Sequence, residues 1–163
     1  MAETTIIRAH PGFQKGFVRT NVDVCFGGGV LAAGKTFGAA LATAEPSLDP
    51  NWRGLVVKNN IDDLKRGGGV IDTFSKELYG SGAVLRMSDM PRLTFPNGAW
   101  IDFAHLADQS IDAIQRRFKS SQYDWIYFDE LTGFTWDAFK TLLTRNRGKS
   151  KYAGRCLATT NPE

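Results

Sequence analysis

The eight residues Gly29-Val30-Leu31-Ala32-Ala33-Gly34-Lys35-Thr36 fit the pattern G-x-x-x-x-G-K-[ST] without a mismatch. Such a loop works only between a strand and a helix. Its glycines let backbone N–H groups turn inward onto phosphate oxygens, where a side chain would block the approach. Lys35 would reach the β- and γ-phosphates as a point charge, and Thr36 would place its hydroxyl on Mg2+. The helix that follows would aim its positive end at the same anion. Both flanking elements are present. Val22-Asp23-Val24-Cys25-Phe26 reads as a short buried strand, and Lys35 to Glu45 as an alanine-rich helix stopped before Pro46. The loop from Gly29 to Thr36, with Phe37 behind it on the helix, is the candidate nucleotide-binding segment.

The rest of the chain alternates as such a loop requires. Arg53 to Lys58, around Leu55-Val56-Val57, predicts a second buried strand. Ile61 to Leu78 carries Leu64, Ile71, Phe74 and Leu78 near helical spacing. Gly67-Gly68-Gly69 predicts a break within it, since each glycine costs ~1 kcal/mol against alanine in a helix. Leu93-Thr94-Phe95 and Trp100-Ile101-Asp102-Phe103 flank Pro96-Asn97-Gly98-Ala99, a hairpin signal because Asn and Gly tolerate positive φ. A short helix near 110–118, a buried strand Trp125-Ile126-Tyr127-Phe128, a helix from Thr135 to Thr144 and a strand from Arg155 to Thr160 follow. This order predicts an α/β domain with a mostly parallel sheet, helices on both faces and the hairpin as an insertion. At 163 residues, one domain is expected.

Asp129 and Glu130 close the apolar run Trp125–Phe128. On a central strand they would sit at the carboxyl edge of the sheet, where the phosphate loop also opens. Asp129 would then hold Mg2+, and Glu130 would polarise the attacking water as general base. A strand ending in a solvated acidic turn explains the pair less well once a full phosphate loop precedes it. A carboxylate directly after the magnesium aspartate favours ATP hydrolysis over phosphoryl transfer to another substrate.

Composition narrows the classes. No apolar run approaches the ~20 residues that cross a bilayer, and the N-terminus lacks the basic-then-apolar layout of a secretory signal, so a cytoplasmic protein is expected. Cys25, Cys156, His10 and His105 are isolated and offer no metal-ligand spacing. The net charge of +3 is small, but six basic residues and no acidic one lie between Lys140 and Arg155. A solvated helix end and loop is the ordinary reading of that run; a surface facing a phosphate backbone is the sharper one.

Several segments together resemble the large terminase subunit of tailed bacteriophages. Pro11-Gly12-Phe13-Gln14-Lys15-Gly16-Phe17 is similar to the family's glutamine-containing segment, which implies an adenine contact for Gln14. Phe95-Pro96-Asn97-Gly98 with Ile101-Asp102-Phe103 resembles its hairpin, and Phe139, Leu142, Arg145 and Arg147 its F-x-x-L-x-x-R-x-R. Ala158-Thr159-Thr160-Asn161-Pro162 resembles its coupling motif, so Thr160 and Asn161 would sense the γ-phosphate or lytic water.

The resemblance implies a P-loop NTPase fold of the additional-strand, catalytic-glutamate type and ATP hydrolysis coupled to translocation of double-stranded DNA into a procapsid. It also implies a portal and a small terminase subunit as partners, a homo-oligomeric ring, and a place in the infected cell's cytoplasm. Two departures stand out. The loop carries no arginine of its own, and the family's basic-Gly pair before the acidic strand is matched only by Lys119-Ser120, with Arg116 and Arg117 near it. Any of the three could be the residue that acts on a neighbour's nucleotide. Residues 1–163 are accordingly expected to form a single ATPase domain incomplete at its C-terminus, without the family's nuclease. Other classes remain open: a helicase-like nucleic-acid-stimulated ATPase, or a module that binds nucleotide without turnover.

Overall fold

The computed structural model describes residues 8–29 and 34–161. Alternation within the strands sets the layers. In β6 (Trp125–Phe128), Trp125 and Tyr127 enter one core while Ile126 and Phe128 enter another. In β2 (Arg53–Lys58), Val56 opposes Leu55 and Val57 in the same way. Strands apolar on both sides must be covered on both. The first core is roofed by α1 (Phe13–Arg19), α2 (Lys35–Leu41), α3 (Ile61–Lys65) and α4 (Val70–Glu77), through Phe17, Ala39, Ala40, Leu64 and Phe74. The second is roofed by α5 (Ile111–Arg117) and α6 (Trp136–Leu143), through Ile114, Ala138, Phe139 and Leu142.

The remaining strands are β1 (Val24–Gly28), β3 (Val84–Arg86), β4 (Arg92–Thr94), β5 (Trp100–His105) and β7 (Arg155–Thr160). They make one seven-stranded sheet of order β1-β7-β6-β2-β5-β4-β3. The first five are parallel; β4 and β3 add on antiparallel. β7 lies between β1 and β6, so one strand separates the strand that ends at Gly28 from the strand that leads into Asp129. Among the described residues, no helix is long and apolar enough to cross a membrane.

Most expected elements form, and the differences have local causes. The helical stretch breaks at its glycines, with Gly68 at φ 75°. α2 ends at Leu41, four residues early, where the Thr43 hydroxyl donates to the Ala40 carbonyl and turns the chain. The hairpin forms, but β5 also pairs with β2 along its whole length, from Arg53↔Trp100 to Lys58↔His105. Only β4 and β3 are therefore additional to the parallel sheet. α1 carries glycine within it and owes its place to packing: Phe13 stacks on Phe17 at 5.1 Å, and a Cβ on Gly27 of β1 would stand 2.3 Å from the Phe13 ring.

Candidate nucleotide-binding site

Four adjacent strands, β1, β7, β6 and β2, run the same way and open their carboxyl ends on one edge. Each delivers polar groups there: Gly28 and Gly29 at the end of β1, Thr160 and Asn161 at the end of β7, Asp129 and Glu130 after β6, and Lys58 on β2. Val30, Leu31, Ala32 and Ala33 of the candidate phosphate loop, and Pro162, lie outside the described residues.

The side chains form a closed circuit. Lys35 Nζ donates to the Gly29 carbonyl at 2.8 Å and to Asn161 Oδ1 at 2.6 Å. Asn161 Nδ2 donates to Glu130 Oε1 at 3.4 Å, and Glu130 Oε2 accepts from Lys58 Nζ at 2.5 Å. The same ammonium donates to Asp129 Oδ2 at 2.9 Å. Asp129 Oδ1 accepts from Tyr127 OH at 2.7 Å and from Thr36 Oγ1 at 3.2 Å, which returns the circuit to the residue beside Lys35. Tyr127 OH also meets Thr159 Oγ1 at 2.8 Å.

Burial works against the Lys58 ammonium, yet Asp129 and Glu130 outweigh it and hold its pKa above the ordinary lysine value. Burial, and then the neighbouring Asp129 charge, push the Tyr127 phenol well above its usual range, so it acts as a donor. The two carboxylates differ in access. The Asp129 side chain is 9% exposed and that of Glu130 44%. Glu130 also has φ 60° and ψ 70°, the one non-glycine residue with positive φ among the described residues. Such a conformation costs ~1–3 kcal/mol and persists only where its surroundings enforce it.

Asp129 and Thr36 present two hard oxygens toward each other, a donor set that fits Mg2+, which keeps waters and takes phosphate oxygens at its other positions. Among the described residues, no group of three or more acidic, His or Cys side chains could hold a metal ion.

Gln14 is buried on α1, and both ends of its amide are engaged by main chain: Oε1 accepts from His10 N at 3.0 Å and Nε2 donates to Gly34 O at 3.2 Å. Gly34 has φ 66°, which favours glycine, and a Cβ there would stand 2.1 Å from Gln14 Nε2 and displace that amide. Phe37 is half-buried on the first turn of α2. Thr160 Oγ1 donates to the Asn161 carbonyl; it is Thr159 that joins Tyr127. Arg116 and Lys119 line a cavity with Arg145, at the other end of β6 from Asp129, and Arg117 Nη1 donates to His105 O. Lys58, Tyr127 and Thr159 also belong to the site, and the sequence alone does not mark them as site residues. A charge closing the apolar run Leu55-Val56-Val57 was the available signal for Lys58.

No protein-family model matches the chain, and no curated protein matches it. Solved structures do. A large terminase from a thermophilic bacteriophage superposes with TM-score 0.69 at 17% identity, over 91% of this chain and 38% of that one. The same terminase in complex with ATP-gamma-S gives 0.66 at 15% identity, over 91% and 37%. The large terminase ATPase domain of Thermus phage P74-26 gives 0.57 at 14% identity, over 93% and 64%. This chain thus spans well under half of the full terminase it matches. It has the fold of the ATPase domain of phage large terminases.

Proposed function

We propose that this chain hydrolyses ATP as the motor domain of a phage terminase, coupling hydrolysis to movement of double-stranded DNA into a procapsid. One observation carries the reading: the circuit Lys35–Asn161–Glu130–Lys58–Asp129–Thr36 gathers a phosphate-binding cation, a magnesium donor pair and a water-accessible carboxylate at one sheet edge. Lys35 exchanges its side-chain acceptor for the β- and γ-phosphates. Thr36 and Asp129 would hold Mg2+, which neutralises phosphate charge when bound. Glu130 polarises the attacking water. Asn161 touches both Lys35 and Glu130, so a change at the phosphate reaches the end of β7. The neighbouring complex with ATP-gamma-S supports adenine nucleotide as substrate. A ring of such chains at the procapsid portal, with a small terminase subunit, in the cytoplasm of an infected cell, completes the reading.

Glu130→Gln tests it. The variant should bind ATP like the parent while turnover falls by ~10²–10⁴-fold, the loss expected without a general base. Lys35→Ala should abolish binding in titration calorimetry. Turnover retained in Glu130→Gln, or ATP affinity retained in Lys35→Ala, would overturn the assignment.

A further inference from the structure

The basic run from Lys140 to Arg155 takes no part in the nucleotide site. Lys140 pairs with Asp137, and Lys151 and Arg155 lie over the Tyr152 ring. Arg145, Arg147 and Lys149 sit on the segment between α6 and β7, at the amino ends of the parallel strands, opposite the phosphate loop. That segment is strapped down. Tyr123 N donates to Arg145 O at 2.9 Å, Gly148 N to Tyr123 O at 2.8 Å and Ser150 N to Asp124 Oδ1 at 2.8 Å. Asp124 is fully buried, its other oxygen accepts from Arg53 N at 2.8 Å, and a Cβ on Gly148 would stand 2.1 Å from Oδ1. The cations are therefore presented on a loop already ordered, which lowers what binding must offset.

Two cavities adjoin along residues 119–121. One, of about 590 Å3, is lined by Arg53, Arg92, Trp100, Ser120, Gln122 and Lys149 among others. The second, of about 400 Å3, brings Arg116, Lys119 and Arg145 together. Arg145 Nε is buried with no hydrogen-bond partner among the described residues. Acidic groups at this edge are mostly engaged: Asp102 accepts two bonds from Arg92 and one from Tyr123 OH, and Asp124 is held by main-chain amides. Asp112 alone adds negative charge to the second cavity. The Arg92 and Arg53 guanidiniums lie over the Trp100 ring at 3.8 and 5.1 Å, so this aromatic face is covered rather than offered to an unstacked base.

We propose that this amino-terminal sheet edge binds the phosphate backbone of double-stranded DNA. Cations and neutral donors distributed over two adjoining cavities suit an anion with repeated charge, and guanidiniums match phosphate oxygens in pairs. The choice of duplex DNA rests on the motor reading; the polyanion surface does not.

The test is anisotropy of a fluorescein-labelled random-sequence duplex over a salt series, with Arg145→Gln, Lys149→Gln and their double variant. Each single change should weaken binding alike for unrelated sequences and reduce the salt slope by about 1. Lys76→Gln on α4 removes the same charge elsewhere and should leave the slope unchanged. ATP affinity, measured in parallel, should be unaffected in all of them. An unchanged slope in the Arg145/Lys149 double variant, or an equal fall in Lys76→Gln, would overturn the proposal. So would displacement of the duplex by polyglutamate as effectively as by unlabelled DNA. If the parent binds duplex with these slopes but not ATP, the motor reading fails and the surface stands.

Discussion

The Lys58 ammonium lies 2.5 Å from Glu130 Oε2, so a strand neighbouring β6 supplies the counter-ion for the proposed catalytic base. It is also the counter-ion of the buried Asp129. Lys58→Met should leave Asp129 as an uncompensated buried charge and cost about 3–5 kcal/mol, most of it from Asp129, because Glu130 is half-exposed and screened. A lower urea midpoint, partly restored by adding Asp129→Asn, is the expected result. An unchanged midpoint would rule the pairing out. The pH dependence has a definite sign. The folded pKa of Lys58 is raised, so its contribution is complete below the ordinary lysine value of 10.5 and is lost as pH rises through the folded value. Lys58→Met should lack that alkaline loss.

Glu130 holds positive φ without being glycine, and two substitutions separate its backbone from its charge. Glu130→Ala and Glu130→Gly both remove the carboxylate, but only glycine relieves the left-handed conformation. The glycine variant should therefore be more stable than the alanine variant by ~1–2 kcal/mol, while neither turns over ATP. Equal denaturation midpoints would mean that the conformation is not strained.

The phosphate loop and the acidic pair were legible because their chemistry fixes residue types at fixed spacing. In the fold Thr36 contacts Asp129 directly, while Asn161 links Lys35 to Glu130. Strands β2, β6 and β7 were legible to the residue because apolar runs of three or four residues are bounded by charges or turns. Lys58 was hidden by distance: 71 residues separate it from Asp129, and only the pairing of β2 with β6 makes them neighbours. Tyr127 looked like core, and it is core by its ring; its hydroxyl works because β7 brings Thr159 alongside. β3 has three residues and borrows its stability from β4, so its own pattern carries little signal.

Gln14 gives a sharper test now that its amide is placed. The resemblance to terminases implies a contact with adenine, but here Oε1 and Nε2 are engaged by His10 N and Gly34 O. An amide used this way positions the start of α2 and hence Lys35. Gln14→Ala should weaken ATP and GTP binding by the same factor and lower the melting temperature. A fall in the ATP-to-GTP preference would show instead that the amide turns to the base.

An arginine placed against the γ-phosphate is worth ~10³–10⁵ in rate. Within the described circuit the cations are Lys35 and Lys58, and Lys58 is already committed to two carboxylates. Arg117 is tied to the His105 carbonyl, and Arg116 and Lys119 line a cavity at the far end of β6 from Asp129. None of the three is placed to serve its own nucleotide, whereas any could serve a neighbour's. Turnover per chain should then be slow in dilute solution and rise with protein concentration as chains associate. Mixing provides the decisive arm. Glu130→Gln chains keep the basic residues but lack the base; chains with Arg116, Arg117 and Lys119 all changed to Ala keep the base but lack the cations. Each should be inactive alone, and an equimolar mixture should recover part of the parent rate, because half-sites of opposite kinds meet at shared interfaces. If the two associate normally, as seen by light scattering, and the mixture stays inactive, none of these residues acts in trans.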